Sequence, residues 1–284
     1  MQNNSHSTAN STETPPPFAV SRVNVGDQCI TLRTWPGAGP PLLLIHGIGS
    51  TGASWESAIP ALAEVATPIA LDLRGHGDSA RPDHGYLYDD YIDDLDGVLD
   101  TLGIERPLLM GHSLGGIVAL WWAARHPDGA AGVVVADSPL RSGYDFAPAF
   151  GGWLRQNAMP VQELAVWYAA EHPDWTPDRA RSRAEVMTGT ARNVFVELRA
   201  DSLAHDGVDR LAEIAHVTSP ILLVRGDPET GSMVVPADAD AFEARLPNAR
   251  VARIPGAGHA LYRTHSSEFA GAVLPFLREV IGST

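Results

Sequence analysis

Three short clusters of residues could act together on a substrate. Gly111-His112-Ser113-Leu114-Gly115-Gly116 lies between an apolar run and a stretch of small and aliphatic residues. A chain that leaves a strand and enters a helix there must bend sharply. A serine at the centre of the bend is held in a strained conformation with its hydroxyl outward. Gly111 and Gly115 leave room where a side chain would collide. The start of the following helix presents N–H groups and a positive dipole end beside the serine oxygen. A hydroxyl so placed, once a base removes its proton, attacks a carbonyl carbon. Taken alone, the pattern also fits a glycine-rich turn with a capping serine.

His46-Gly47-Ile48-Gly49 follows an earlier apolar run. A loop of this type at a strand end can aim a backbone N–H at a developing oxyanion. Ile48 is the expected donor there, and Leu114, the residue after the serine, is the second. Eleven histidines compete for the role of base. Gly256-Ala257-Gly258-His259 stands out, because a tight glycine loop after a strand can project an imidazole across a sheet edge. His46 and His76 sit in strand-end loops and read as structural hydrogen-bonding residues, while His112 is expected to point away from the bend.

The elements that must position these groups follow from the hydropathy pattern. Strand-like runs occur at Phe18–Val25, Gln28–Trp35, Pro41–His46, Thr67–Leu73, Pro107–Gly111, Gly132–Ala136, Pro220–Arg225 and Arg250–Ile254. Several are continuously apolar, as strands covered on both faces should be. Helical spacing appears at Ala53–Val65, Tyr88–Leu102, Leu114–Arg125, Ala237–Leu246 and Ser267–Ile281, with Leu102 expected inside. The alternation implies a mostly parallel sheet with helices on both faces. Residues 138–216 break it, with Trp153, Trp167, Trp175, Met159 and Met187 among helix-forming residues. They read as a helical lid or an ordinary helical subdomain.

Four motifs in order, HGIG at 46–49, DLRGHGDS at 72–79, GHSLGG at 111–116 and GAGH at 256–259, resemble the α/β-hydrolase superfamily over about residues 18–282. The resemblance implies an α/β-hydrolase fold: an eight-stranded, mostly parallel sheet formed by 18–137 and 217–284, with a helical cap at 138–216. It implies Ser113 as nucleophile, His259 as base, a carboxylate as third member, and no metal or organic cofactor. Haloalkane dehalogenases and related epoxide hydrolases carry Asp at the position of Ser113, so the serine argues against both activities.

The carboxylate is ambiguous. The family most often places it in a G-x-x-D pattern after the strand here at 220–225. This chain reads Gly226-Asp227-Pro228-Glu229, with Glu229 at that position and Asp227 two residues early. A second family arrangement, resembling some dehalogenases and zearalenone-type lactonases, puts the acid directly after the strand that follows the nucleophile helix. Asp137 stands there and is the favoured acid, with Asp227 and Glu229 as alternatives.

Composition narrows the partners. The 284 residues carry 20 basic and 34 acidic groups, a net charge of −14, and every basic residue is Arg. Such a chain is a poor match for nucleic acid or an anionic membrane surface. One cysteine, Cys29, excludes an internal disulfide and reads as a buried small hydrophobe. The polar residues 1–17 read as a disordered tail without a secretory signal, so a cytoplasmic location is expected. A homodimer is an open option. The pocket wall is expected to include the Trp and Met residues of 150–187, and no arginine cluster for a dianion is evident. The expected substrate is a small, apolar or aromatic ester or lactone. The alternatives are a C–C bond hydrolase or cofactor-free haloperoxidase-like enzyme of the same fold, or a slow-turnover ligand receptor.

Overall fold

The computed structural model describes residues 17–140, 147–206 and 208–283. Eight strands form one sheet: β1 (Ala19–Val25), β2 (Gln28–Thr34), β3 (Pro41–Ile45), β4 (Thr67–Asp72), β5 (Leu108–His112), β6 (Gly132–Ala136), β7 (Ile221–Arg225) and β8 (Ala249–Arg253). Their order is β1-β2-β4-β3-β5-β6-β7-β8. β2 runs antiparallel to both neighbours, and every pairing from β4 to β8 is parallel. Crossover connections between parallel strands need covering helices. They are α1 (Ile59–Leu62), α2 (Tyr88–Leu102), α3 (Leu114–Arg125), α4 (Ala147–Asn157), α5 (Val161–Glu171), α6 (Pro177–Gly189), α7 (Arg192–Ala204), α8 (Arg210–Ile214), α9 (Pro236–Arg245), α10 (Leu261–Thr264) and α11 (Ser266–Gly282).

The continuous apolar strands are explained by two-sided burial. On β3, Leu43 and Ile45 join the core under α2, α3 and α9, while Leu42 and Leu44 join the core under α11. β6 alternates likewise, with Val133 and Val135 on the first face and Val134 and Ala136 on the second. The period of two sorts side chains between faces even where every residue is apolar.

Several expectations need correction. The helix predicted over 53–65 is broken into a 3-10 turn at Gly52–Trp55 and the short α1. Pro60 has no N–H to bond back to Glu56 and its ring crowds that carbonyl, so one helix cannot run through. Leu102, at the last turn of α2, is 36% exposed. Asp94, on the same helix, is buried and paired through both oxygens to Arg74. Cys29 is only half-buried. α4 to α8 are all inserted between β6 and β7, where the sequence pattern lapses. The expected tail lies outside the described residues except for Pro17, and so do 141–146 of the insertion.

Candidate active site

At the end of β5 the chain bends at Ser113, with φ 54° and ψ −118°. Ser113 and Asp137 are the only non-glycine residues with positive φ among those described. The bend has no room for side chains around it. A Cβ at Gly111 would lie 2.0 Å from the Gly115 carbonyl oxygen, and one at Gly115 would lie 2.1 Å from that of Ile45. A parallel rung fixes the serine backbone, its N–H donating to the Ala136 carbonyl at 3.1 Å. Leu114 is the first residue of α3, so its N–H has no intrahelical acceptor.

Asp137 follows β6 directly, with φ 45° and its N–H donating to Val224 O at 2.8 Å. Its carboxylate is fully buried. It accepts from His259 Nδ1 at 2.8 Å, from the Met233 N–H at 2.9 Å and from the Ser232 hydroxyl. A carboxylate only accepts, so the imidazole proton on that side belongs to Nδ1 and the Nε2 lone pair is left for the cleft. Three donors offset the cost of burying the charge.

The other two carboxylates lie elsewhere. Asp227 accepts from Arg253 Nε at 2.5 Å and from the Gly256 N–H at 2.8 Å. The Arg253 guanidinium, helped by that N–H, holds the Asp227 carboxyl down to about 2. It braces the loop that carries His259 and makes no bond to the ring. Glu229 sits exposed in a 3-10 turn, Pro228–Thr230.

The loop carrying Ile48 is held by buried imidazoles. His46 donates from Nδ1 to Gly47 O at 2.8 Å and accepts the Leu73 N–H on Nε2 at 3.0 Å. His76 donates to Arg74 O at 2.9 Å and accepts the Gly49 N–H at 3.1 Å. Burial lowers the affinity of both rings for a second proton, and His76 falls to about 3. Asp72 accepts the Gly52 and Asp78 N–H groups and pairs with Arg33 at 2.6 Å. Burial alone would raise its pKa, but the Arg33 hydrogen bond and the two amides bring it below the usual carboxylate value.

Ser113 lines two neighbouring spaces. One, about 360 Å³ including open solvent, is lined by Ile48, Tyr88, Leu114, Phe150, Trp153 and Met233 among others. The second, about 1090 Å³ including open solvent, brings Ser113 and His259 together with His112, Trp153, Trp175 and three arginines, Arg179, Arg183 and Arg263. The expected wall of Trp and Met residues from 150–187 is therefore only partly correct. Trp153 and Trp175 contribute, Trp167 is 39% exposed, Met159 packs against the core, and Met187 is buried against Gly49.

The expectation of no arginine cluster is overturned. Arg179 and Arg183 are one turn apart on α6, and Arg263 arrives on α10, four residues after His259. The i,i+4 spacing of the first pair is visible in the sequence, but its convergence with Arg263 depends on the fold. His112, expected to point away from the bend, makes no bond from its ring to Ser113 and packs on His259 instead. Its ring lies 4.4 Å from that of His259, centroid to centroid, and its Nε2 donates to the His259 carbonyl at 2.8 Å. Burial first, and the neighbouring His259 second, push its pKa well below the ordinary value.

Among the described residues no group of three or more His, Cys, Asp or Glu is arranged to hold a metal ion, and no helix is long and apolar enough to cross a membrane.

Comparison with known proteins agrees with this architecture. A family model described as alpha/beta hydrolase fold matches residues 40–158. The chain is 32% identical over 254 residues to 2-(acetamidomethylene)succinate hydrolase of Mesorhizobium japonicum, covering 85% of this chain and 89% of the relative. It is 42% identical over 132 residues to 2-hydroxymuconate semialdehyde hydrolase of a Pseudomonas species, covering 42% and 47%. The crystal structure of an E-2-(acetamidomethylene)succinate hydrolase superposes with a TM-score of 0.75 at 28% identity, covering 92% of this chain and all of the other. Sheet order, bend at Ser113 and similarity over most of the chain converge on one conclusion: the chain belongs to the α/β-hydrolase family and is a hydrolase.

Proposed function

We propose that this hydrolase cleaves a carboxylic ester or lactone through an acyl-enzyme on Ser113. The observation that carries the reading is the His259 ring. Its Nδ1 is committed to the buried Asp137 carboxylate at 2.8 Å, and its other edge faces the cleft that Ser113 lines. Asp137 holds the tautomer in which Nε2 can accept a proton and stabilises the imidazolium that forms.

In the first step the Ser113 Oγ bonds to the substrate carbonyl carbon and its proton passes to His259 Nε2. The carbonyl electron pair moves onto oxygen, facing the Ile48 and Leu114 N–H groups, each worth on the order of 3 kcal/mol of barrier. The oxyanion collapses, the bond to the alcohol oxygen breaks, and His259 returns the proton to that oxygen. Water then adds to the acyl carbon while giving its proton to His259. Collapse releases the acid, and the proton returns to Ser113. The bend strain at Ser113 supports the reading, since a non-glycine residue is kept at positive φ only where surrounding structure enforces it.

Similarity to the 2-hydroxymuconate semialdehyde hydrolase favours a second reading, in which the same residues cleave a C–C bond. A fluorophosphonate probe should label Ser113 and no other residue, and Ser113→Ala should abolish labelling and turnover. A panel of p-nitrophenyl esters, lactones and a vinylogous diketone then separates the readings. Ester or lactone turnover without diketone cleavage is expected, and diketone cleavage alone would replace the first reading by the second.

A further inference from the structure

We infer that the substrate carries a carboxylate, held by Arg183, Arg179 and Arg263 on the His259 side of Ser113, with its apolar part in the smaller space on the α3 side. This rests on the serine-hydrolase reading and names the substrate class for it. Some arginines of this acidic chain sit against carboxylates, as Arg74, Arg125 and Arg250 do. The three cleft arginines differ from these, and unlike the other described arginines they share one space beside Ser113 and His259. None forms an ion pair with any described carboxylate, although all three line one cleft.

Their side chains are arranged for a ligand. Each guanidinium rests over an aromatic ring: Arg179 over Trp175 at 4.5 Å, Arg183 over Tyr168 at 5.6 Å and Arg263 over Tyr262 at 5.7 Å. Stacking occupies the face and leaves the edge N–H donors for a planar anion. Arg183 spends one Nη1 donor on Gly49 O, which also ties α6 to the loop carrying Ile48. The side chains of Arg179 and Arg263 donate to no described protein group. Arg263 repels both Arg179 and Arg183, with Asp174 offsetting this only at Arg179, and a bound carboxylate would relieve that repulsion. Ser113 lines both spaces, so a molecule with an apolar end and an anionic end would reach into each with its carbonyl over the serine.

The test separates binding from turnover. Ser113→Ala protein is titrated with adipate and with the neutral 1,6-hexanediol at fixed ionic strength, following the fluorescence of Trp153 and Trp175. Saturable quenching by adipate alone is expected, weakened about ten- to a hundred-fold by Arg183→Gln or Arg263→Gln and less by Arg183→Lys. Equal response to the diol, or no response to adipate, would overturn the inference. In the active protein, mono-4-nitrophenyl suberate is compared with 4-nitrophenyl octanoate. The ratio of their kcat/KM values should favour the suberate and fall about ten-fold in each Gln variant. A ratio near one that the variants do not move counts against the carboxylate. Failure of both esters with no labelling of Ser113 counts against the serine-hydrolase reading, while the adipate titration still decides the anion site.

Discussion

Two regions of this molecule use the same residue types for opposite ends. Under β3 and β4, His46, His76 and Asp72 are fully engaged. Each imidazole donates to a backbone carbonyl and accepts a backbone N–H, and the carboxylate is shared between Arg33 and two amides. Beyond β6 and β8, Asp137 is equally well bonded, but His259 uses only Nδ1 and its side chain is 35% exposed. An imidazole with both nitrogens committed is a strut, whereas one with a nitrogen left to a cleft can move protons. Residue type alone cannot tell these apart. The tally of hydrogen bonds can.

The largest effect should come from the open ring. His259→Gln is expected to lower kcat by roughly 10⁴- to 10⁶-fold with the unfolding midpoint almost unmoved. Asp137→Asn should cost on the order of 10³- to 10⁴-fold, because an amide in that place favours the wrong tautomer. Asp227→Asn should stay within about ten-fold of the parent in turnover. Parity of the two Asn variants would erase the distinction drawn here.

The strut should respond in stability instead. His76→Ala leaves the Gly49 N–H buried and unpaired, and a loss of about 2–4 kcal/mol in urea unfolding is expected. A collapse of turnover per folded molecule would move His76 out of the structural class. Acid should sharpen the same contrast. The His76 pKa falls from 6.5 unfolded to about 3 folded, because burial penalises the charged ring. Between those values the unfolded chain binds the extra proton, so stability is complete above 6.5 and declines as pH drops toward 3. The decline is about 1.4 kcal/mol per pH unit for each such ring. Urea titrations at pH 7.5 and 5 should show it, with a shallower dependence in His76→Ala. Smallest of all, Glu229→Gln should change neither rate nor stability by more than about two-fold, since its side chain is solvent-exposed.

Much of this architecture is legible in the sequence. All eight strands fall within two residues of their predicted ends; for the inner strands β3 to β7 the reason is two-sided burial, which leaves a run of apolar residues that few other structures tolerate. The bend at 113 and the loop at 256–259 are legible because glycines mark close backbone approach. The carboxylate is harder to read, since Asp137, Asp227 and Glu229 all follow strand ends, and only the observed distances show which touches the imidazole. The arginine-lined space is invisible from the chain. Arg179, Arg183 and Arg263 meet because α6 packs on the loop carrying Ile48 and α10 follows His259 into the same cleft, and no local pattern encodes that meeting. The 53–65 misreading had a local cause in Pro60 that periodicity outweighed.

Ser113 bonds through its N–H to the end of β6, and Asp137 bonds through its own to the end of β7. The serine and its distant carboxylate are thus spaced by the rungs of a parallel ladder rather than by loops. Those two amides should be among the slowest in the molecule to exchange with deuterium, opening only with the whole fold. Heat should then extinguish labelling of Ser113 at the temperature where the sheet itself melts, even if the α4–α8 layer loosens first.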